Sequence, residues 1–239
     1  MGQAFSGYHI EHGTRIDLDD NFPAYGVGYE RNWWHESEWT SFVLAEQKTV
    51  VTVEATSYIF ILHPGMYAMI PGKFMLGGGR GLIVTRDGYR GMFMVGGPLE
   101  EHGRLKYIDG CTDSLLIPPV KRGDPCLNLL YFPPGIDQTE HTHPSDRFGL
   151  VVSGHGRCLH RASSDAPFLS IDLVPGMIWR IHTDGLHKFQ TPYDRAMRVV
   201  AFHPDSDFGP TDEDHPMLNR TIVEGVSAAD ASLAGIRTQ

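Results

Sequence analysis

The sequence predicts an all-β protein of the sandwich or barrel kind, and three observations carry that expectation. Apolar runs of roughly four to eight residues recur along the chain, among them TVVTVEA, GLIVTR, LNLLYFPP, RFGLVVSG, FLSIDLVPG and RAMRVVAFHP. They are rich in Val, Ile, Leu, Phe, Tyr and Thr, and Gly, Pro, Asp and Ser clusters separate them, which is the rhythm of short strands joined by turns. Helical signals are few: residues 31–47 (RNWWHESEWTSFVLAEQ) read as beginning with a short helix, and residues 227–239 as a short terminal helix or disorder. The third observation is a weak duplication. Residues 57–72 (SYIFILHPGMYAMIPG) and 170–185 (SIDLVPGMIWRIHTDG) both read strand, Pro-Gly-Met turn, strand, Gly.

That duplication implies two related halves of about 110 residues each. The expected organisation is an N-terminal domain over residues 1–105, a C-terminal domain over 106–224 and a tail over 225–239, with residues 96–113 as the connector. The copies differ at one informative place. Two residues past the closing glycine the second copy has His187, where the first has Phe74 followed by Met75.

The 239 residues are 41% hydrophobic and 21% charged, ordinary for a globular protein, and long enough to bury a core without covalent staples. A net charge of −9 and the lack of any Lys/Arg cluster argue against nucleic acid or an anionic membrane as partner. No apolar run reaches the ~18 residues of a membrane span. The first residues have neither the basic start nor the apolar core of a signal peptide. Cys111, Cys126 and Cys158 form neither an even set nor a C-x-x-C pair, so a reducing, cytoplasmic setting is expected.

Chemistry concentrates in TEHTHPSDR. Read as a strand, it puts Thr139, His141 and His143 on one face and turns Glu140 and Thr142 to the other. Two imidazoles so placed chelate one ion, and neutral imidazole suits Zn, Fe, Cu and Ni. The best third ligand is His187, at a strand start after a Gly-containing turn. A lone histidine is usually a surface or hydrogen-bonded residue, and the others, His35, His160 and His203 among them, are read that way. Gln138 and Thr139 are candidates to orient the ligands, with His182 a weaker one. Trp179, Phe189 and Tyr131 are expected to pack in the core, with pocket lining as the second reading. Asp109, Asp113 and Asp124 sit in turn-rich sequence and are read as turn residues. Cys158 is expected to be a buried, inert thiol.

These residues resemble the cupin superfamily. Its first motif is G-x5-H-x-H-x3-E-x6-G, and here Gly135, His141, His143 and Gly154 stand in register with it, with Arg147 at the glutamate position. Its second motif ends in a ligand histidine after a Pro-Gly turn; VPGMIWRIHTDGLH supplies Pro175, Gly176, Gly185 and His187, with Thr183 in place of the usual proline. The resemblance covers residues 127–203 and reaches the N-terminal half only through PGMYAMIPG. It implies two tandem cupin-type jelly-roll β-barrels, a bicupin whose C-terminal half holds a divalent metal ion through His141, His143 and His187. Fe(II) is favoured, with Zn, Ni, Mn and Cu as the other candidates.

Cupins with three histidines and no carboxylate ligand include thiol dioxygenases. The leading expectation is therefore O2-dependent oxidation of a small polar or anionic molecule, with a charged anchor at Arg147, whose guanidinium has no lone pair for a metal but clamps a carboxylate or phosphate. The competing placement turns Arg147 to the rim beside Asp146. Two other functions are carried forward. One is a redox-inert metal enzyme for isomerisation, lyase or condensation chemistry, including nitrogen–nitrogen bond formation with a partner protein, since the chain is also similar to the cupin parts of bacterial hydrazine-forming synthetases. The other is a non-catalytic small-molecule-binding cupin. A homodimer is implied by the same resemblance.

Overall fold

A computed structural model describes residues 3–18, 21–205, 222–223 and 226–227. The strands run β1 (Phe5–His9), β2 (Arg15–Asp17), β3 (Ala24–Tyr29), β4 (Trp33–His35), β5 (Thr40–Ala45), β6 (Thr49–Val53), β7 (Ile59–Leu62), β8 (Tyr67–Pro71), β9 (Phe74–Gly77), β10 (Gly81–Arg86) and β11 (Met94–Gly96). They continue as β12 (Leu105–Lys106), β13 (Thr112–Ile117), β14 (Cys126–Phe132), β15 (Arg147–Gly154), β16 (Gly156–Arg161), β17 (Leu169–Leu173), β18 (Met177–Ile181), β19 (Leu186–Gln190), β20 (Met197–His203), β21 (Ile222–Val223) and β22 (Val226–Ser227). Among the described residues one 3-10 turn, Ile108–Gly110, interrupts them. No helix among the described residues is long and apolar enough to cross a membrane.

The expected helix near residue 31 is a correction. Trp33–His35 and Thr40–Ala45 are strands, because TSFVLA is buried on both faces and its neighbours supply the ladder bonds a helix would make internally. The terminal helix expected over 227–239 lies outside the described residues, apart from Ser227, which pairs in β22.

Strand order shows the duplication more clearly than the sequence does. One sheet reads β11-β8-β5-β10-β3-β2 and another β1-β18-β15-β20-β14-β13-β12. Aligned on the Pro-Gly-Met turns, the five strands from β8 to β2 and from β18 to β13 follow the same order. The smaller sheets, β4-β9-β6-β7 and β17-β16-β19, correspond likewise. Both repeated turns have the same build. Gly65 and Gly176 stand at φ +80° and +81°, where only glycine is unstrained, and Met66 and Met177 donate back to His63 and Val174.

Each half is thus a large sheet facing a small one. Among the described residues no sheet closes on itself, so the expected tandem jelly-roll barrels are met only as sandwiches of unequal sheets. Three apolar clusters fill the molecule. One, with Phe5, Phe132, Val151, Trp179 and Phe189, lies inside the C-terminal pair; another, with Tyr29, Val43, Ile70, Phe74 and Leu76, lies inside the N-terminal pair. The third joins the outer faces of the two large sheets through Phe42, Phe148, Leu150, Val200 and Phe202. Strand alternation sets this division: Met197, Val199 and Ala201 point into their own half, Val200 and Phe202 toward the other. One edge strand crosses between the halves: β1, from the start of the chain, pairs with β18, while β11 covers the edge of its own sheet on β8.

One close approach matters for the site. Gly149 lies opposite Trp179, and a Cβ on it would come within 1.8 Å of the Val200 carbonyl and 2.8 Å of the indole. Gly149→Ala must therefore push apart a central pair of strands, and about 3 kcal/mol of stability is expected to be lost; the midpoint of denaturant unfolding reads this directly.

In the N-terminal half His35 is buried, and Ser41 Oγ and Thr85 Oγ1 lie 2.9 and 3.0 Å from its Nε2. Burial pushes its pKa down to about 4. Between that value and the ordinary 6.5 the unfolded chain binds the extra proton, so stability is complete above pH 6.5 and falls as pH drops toward 4. His35→Gln should remove this part of the acid sensitivity, about 2 kcal/mol between pH 7 and pH 5. Unfolding curves of both proteins at the two pH values measure it.

Candidate metal centre

Two separate stretches of chain bring the three histidines together. His141 is not on a regular strand, contrary to the expectation for residues 139–147. Pro144 has no N–H to donate, and the ladder of β15 starts only at Arg147. The segment is pinned instead by a single bridge. The His141 N–H donates to the His187 carbonyl at 3.0 Å and the His187 N–H to the His141 carbonyl at 3.1 Å. The Asp184 N–H then donates to the His143 carbonyl at 2.8 Å. His141 and His143 still share a face, as the alternation predicts, and Glu140 points away to pair with Arg161.

The turn before β19 has its own anchor. Asp146, 1% exposed, accepts from the Thr183 N–H at 2.8 Å, from Thr183 Oγ1 at 3.1 Å and from Arg180 Nε at 2.7 Å. A buried carboxylate satisfied this way holds the turn that delivers His187. Asp184, at φ +56°, and the Gly185 N–H bond to the His182 carbonyl close it. Thr183, standing where the family usually has proline, thereby gains a hydroxyl bond that proline lacks.

The three rings face one another with centroids 4.4–5.1 Å apart, and their ligand nitrogens lie within 4.8 Å of one another. Around an ion at about 2.1 Å, nitrogens stand roughly 3.0–3.4 Å apart, so small ring rotations suffice. Hydrogen bonds select the tautomers. His141 Nδ1 lies 2.8 Å from the Thr139 carbonyl and His187 Nδ1 2.8 Å from the Gly185 carbonyl, so each Nδ1 carries the proton and each Nε2 presents a lone pair. His187 Nε2 is buried and has no hydrogen-bond partner. Burial, reinforced by Arg147 and the neighbouring imidazoles, pushes His143 down to about 2, and burial brings His187 to about 4. All these features fit a cation: the donors are neutral imidazoles, and one inward nitrogen is orphaned without an ion. No other group of metal-type ligands occurs among the described residues.

Gln138 and Thr139 orient the site as expected. The Gln138 N–H donates to the Phe189 carbonyl, and Gln138 Oε1 accepts from the Phe189 N–H. Thr139 receives the His141 ring, and its own N–H donates to Asp109 at 2.6 Å, so Asp109 serves the site as well as its turn. His182 acts elsewhere, 2.9 Å from Ser6 Oγ on β1. Trp179 and Phe189 both line the cavity beside the histidines, whereas Tyr131 packs on His102. Cys158 is fully buried outside the cavity.

The cavity holds about 40 Å³ and has Leu130, Phe132 and Ile181 among its apolar walls. Arg147 faces into it, not to the rim. Its guanidinium donates to Ser145 O, Ser145 Oγ and Asp146 O, while its Nε is buried without a partner. Asp146, the expected rim partner, spends its carboxylate on Arg180 and Thr183.

Three lining residues escaped sequence reasoning. His203, read as a surface or hydrogen-bonded histidine, is half-buried beside Arg147 and His143, and desolvation drives its pKa well below the usual value. The alternation Met197, Val199, Ala201, His203 was the signal that could have found it. Asp113, read as a turn residue, is a buried strand residue whose carboxyl is raised by burial and lowered in part by Asn128. Tyr107 lines the same space, its hydroxyl pushed up to about 12 by burial. His35 and His160 are also buried, and His35 is hydrogen-bonded, the second of the two placements the sequence reading allowed.

The N-terminal half has the corresponding place. His35 pairs with Phe74 across β4 and β9 as His141 pairs with His187. Phe74 stacks on the imidazole at 4.7 Å, and Ser41 and Thr85 occupy its Nε2. One histidine, capped and covered, remains where the other half has three.

No family model matches the chain, and no curated protein matches it. Solved structures do match in fold. Oxalate decarboxylase from Bacillus subtilis at pH 4.6 is similar with a TM-score of 0.55 at 12% identity, over 85% of this chain and 77% of that one. A structure concerned with the Mn(II) centres of the same enzyme gives 0.55 and 12%, over 85% and 78%. A cupin 2 conserved barrel domain protein from Leptotrichia buccalis gives 0.56 and 11%, over 84% and 90%. At such identities the likeness concerns architecture alone: the chain has the cupin-type jelly-roll β fold and carries a three-histidine group within it.

Proposed function

We propose that this protein is a metal-dependent cupin enzyme acting on a small anionic molecule. The observation that carries the reading is the orphaned, buried Nε2 of His187 facing two further imidazoles. His141, His143 and His187 would hold one divalent ion, and Arg147 would anchor an acidic group of the substrate. With three neutral ligands the ion keeps its full positive charge, which with the guanidinium makes the cavity strongly attractive to an anion.

The ion we favour is Fe(II), supplying O2-dependent oxidation when bound. The cavity walls of Leu130, Phe132, Ile181 and Phe189 suit a small apolar gas and keep bulk water out. The residues of the chain have plain tasks in this scheme. Thr139 and Gly185 carbonyls hold two ligand tautomers, Arg147 orients the substrate, and the buried wall limits its size. A second reading draws on the Mn(II) centres described for the structurally similar oxalate decarboxylase. In it a redox-inert ion acts as a Lewis acid at the same three ligands.

Metal analysis of protein purified without added ion separates the readings. Iron with O2 uptake supports oxidation, whereas tightly held manganese or zinc without O2 uptake supports Lewis-acid chemistry. His141→Ala, His143→Ala and His187→Ala are each expected to cut bound metal at least tenfold while the β signature of circular dichroism persists. Wild-type metal content in any one of them removes that residue as a ligand.

Arg147→Ala should keep the metal and weaken acetate binding by about ten- to a hundredfold, the worth of a charge-assisted hydrogen bond. Titration calorimetry beside metal analysis reads both quantities. Unchanged acetate affinity would end the anchoring role.

A further inference from the structure

Two of the polar groups that line the cavity, Trp179 and Asp113, lie near opposite ends of the large sheet that floors it. Trp179 on β18 is 1% exposed and lines the cavity, yet its indole Nε1 has no hydrogen-bond partner. A buried indole N–H normally finds an acceptor. Its placement is built in: Gly7 and Gly149 flank it on the two neighbouring strands, and a side chain at Gly149 would collide with its ring. Arg147, beside it on β15, contributes a second unpartnered donor, Nε. Two orphaned donors on adjacent strands make a receptor for a carboxylate, which offers two acceptor oxygens.

The acceptor stands across the sheet. From β15 the order runs β20, β14, β13, and Asp113 projects from β13 into the same cavity. Its oxygens accept from Asn128 Nδ2 at 3.0 and 2.8 Å, and Asn128 Oδ1 lies 3.1 Å from the Cys126 thiol. The thiol fixes which end of the amide faces the carboxylate, so Asp113 is held by a residue that cannot swing away without losing a bond. An ionised carboxylate has about four acceptor positions. The amide takes two and the Ser114 backbone one, and no ion pair to Asp113 occurs among the described residues. An acceptor position is left for a ligand.

Size narrows the choice. A cavity of about 40 Å³ takes roughly three waters, or a ligand of about five or six heavy atoms. We propose that the cavity recognises a two- or three-carbon hydroxy or amino acid, with its carboxylate on Arg147 Nε and Trp179 Nε1 and its hydroxyl or amino group donating to Asp113. This rests on the reading that the three-histidine cavity is the substrate site, and it adds the group that distinguishes the substrate from a plain acid. An acid without the donor leaves the buried Asp113 oxygen unsatisfied and is rejected for that reason.

The test is calorimetric titration of the metal-loaded protein with glycolate, glycine and acetate, with metal content measured on the same samples. Glycolate or glycine should bind at least tenfold more tightly than acetate. Trp179→Phe should weaken all three alike, by about tenfold. Asp113→Ala should bring glycolate and acetate to the same affinity, with acetate bound more tightly than by the unaltered protein because the unsatisfied oxygen is gone. If that variant does not fold, Asp113→Asn serves: it keeps the shape, and glycine should lose at least tenfold with the charge. Equal affinities for the three probes, or no binding by protein that holds its metal, would overturn the assignment. The recognising groups belong to the chain, so the same ranking is expected without metal. Failure to take up metal with the ranking intact therefore counts against the metal-enzyme reading alone.

Discussion

The site depends on one pair of backbone hydrogen bonds, the reciprocal bridge between His141 and His187. It continues the attachment to β19 begun by the Asp137–Gln190 bridge and the Gln138–Phe189 bonds, and carries it to the ligands themselves. Two ligand rings are thereby set side by side, tilted toward each other, and the bond from Asp184 to the His143 carbonyl brings in the third. Side chains then refine what the backbone has placed. Asp146, buried and fully engaged, locks the turn ahead of His187, and Gln138 ties the adjacent residues of β19 to the same segment. Such preorganisation leaves only small ring rotations to be made when an ion arrives.

The two halves show how a site of this kind is lost while its frame persists. Both keep the strand order and the Pro-Gly-Met turn at positive φ. The N-terminal half keeps a histidine at the bridge position, but Phe74 covers its ring and two hydroxyls occupy its nitrogen. Hydroxyls at Ser41 and Thr85 supply to His35 what an ion would supply to His187. The buried nitrogen is satisfied in one case and waiting in the other.

Much of this was legible in the sequence because strand periodicity and ligand spacing are local. The alternation through His141 and His143 held even though the segment is not a strand, since two residues apart in any extended chain share a face. His187 was legible through the broken repeat. What stayed hidden depended on long-range pairing. WWHESEW looks helical until β9 is there to pair with β4, and Asp113 looks like a turn residue until Asn128 is brought alongside from β14. The inward direction of Arg147 also needed the structure, because Pro144 breaks the pattern that would have predicted it. Closure into barrels was over-read: short strands and frequent turns are common to barrels and sandwiches, and only the ladder shows that each half leaves its sheets separate.

The pairing of β1 with β18 ties the beginning of the chain to chemistry more than a hundred residues away. Phe5 stands edge-on to Phe189, two positions past His187, and Ser6 holds His182 in the turn that delivers that ligand. Any fusion, truncation or modification of the first ten residues therefore acts on the histidine centre as directly as a change in its immediate surroundings. Conversely, the C-terminal half cannot be excised intact, because β1, the ribbon that covers the border of its large sheet, would stay behind with the other half.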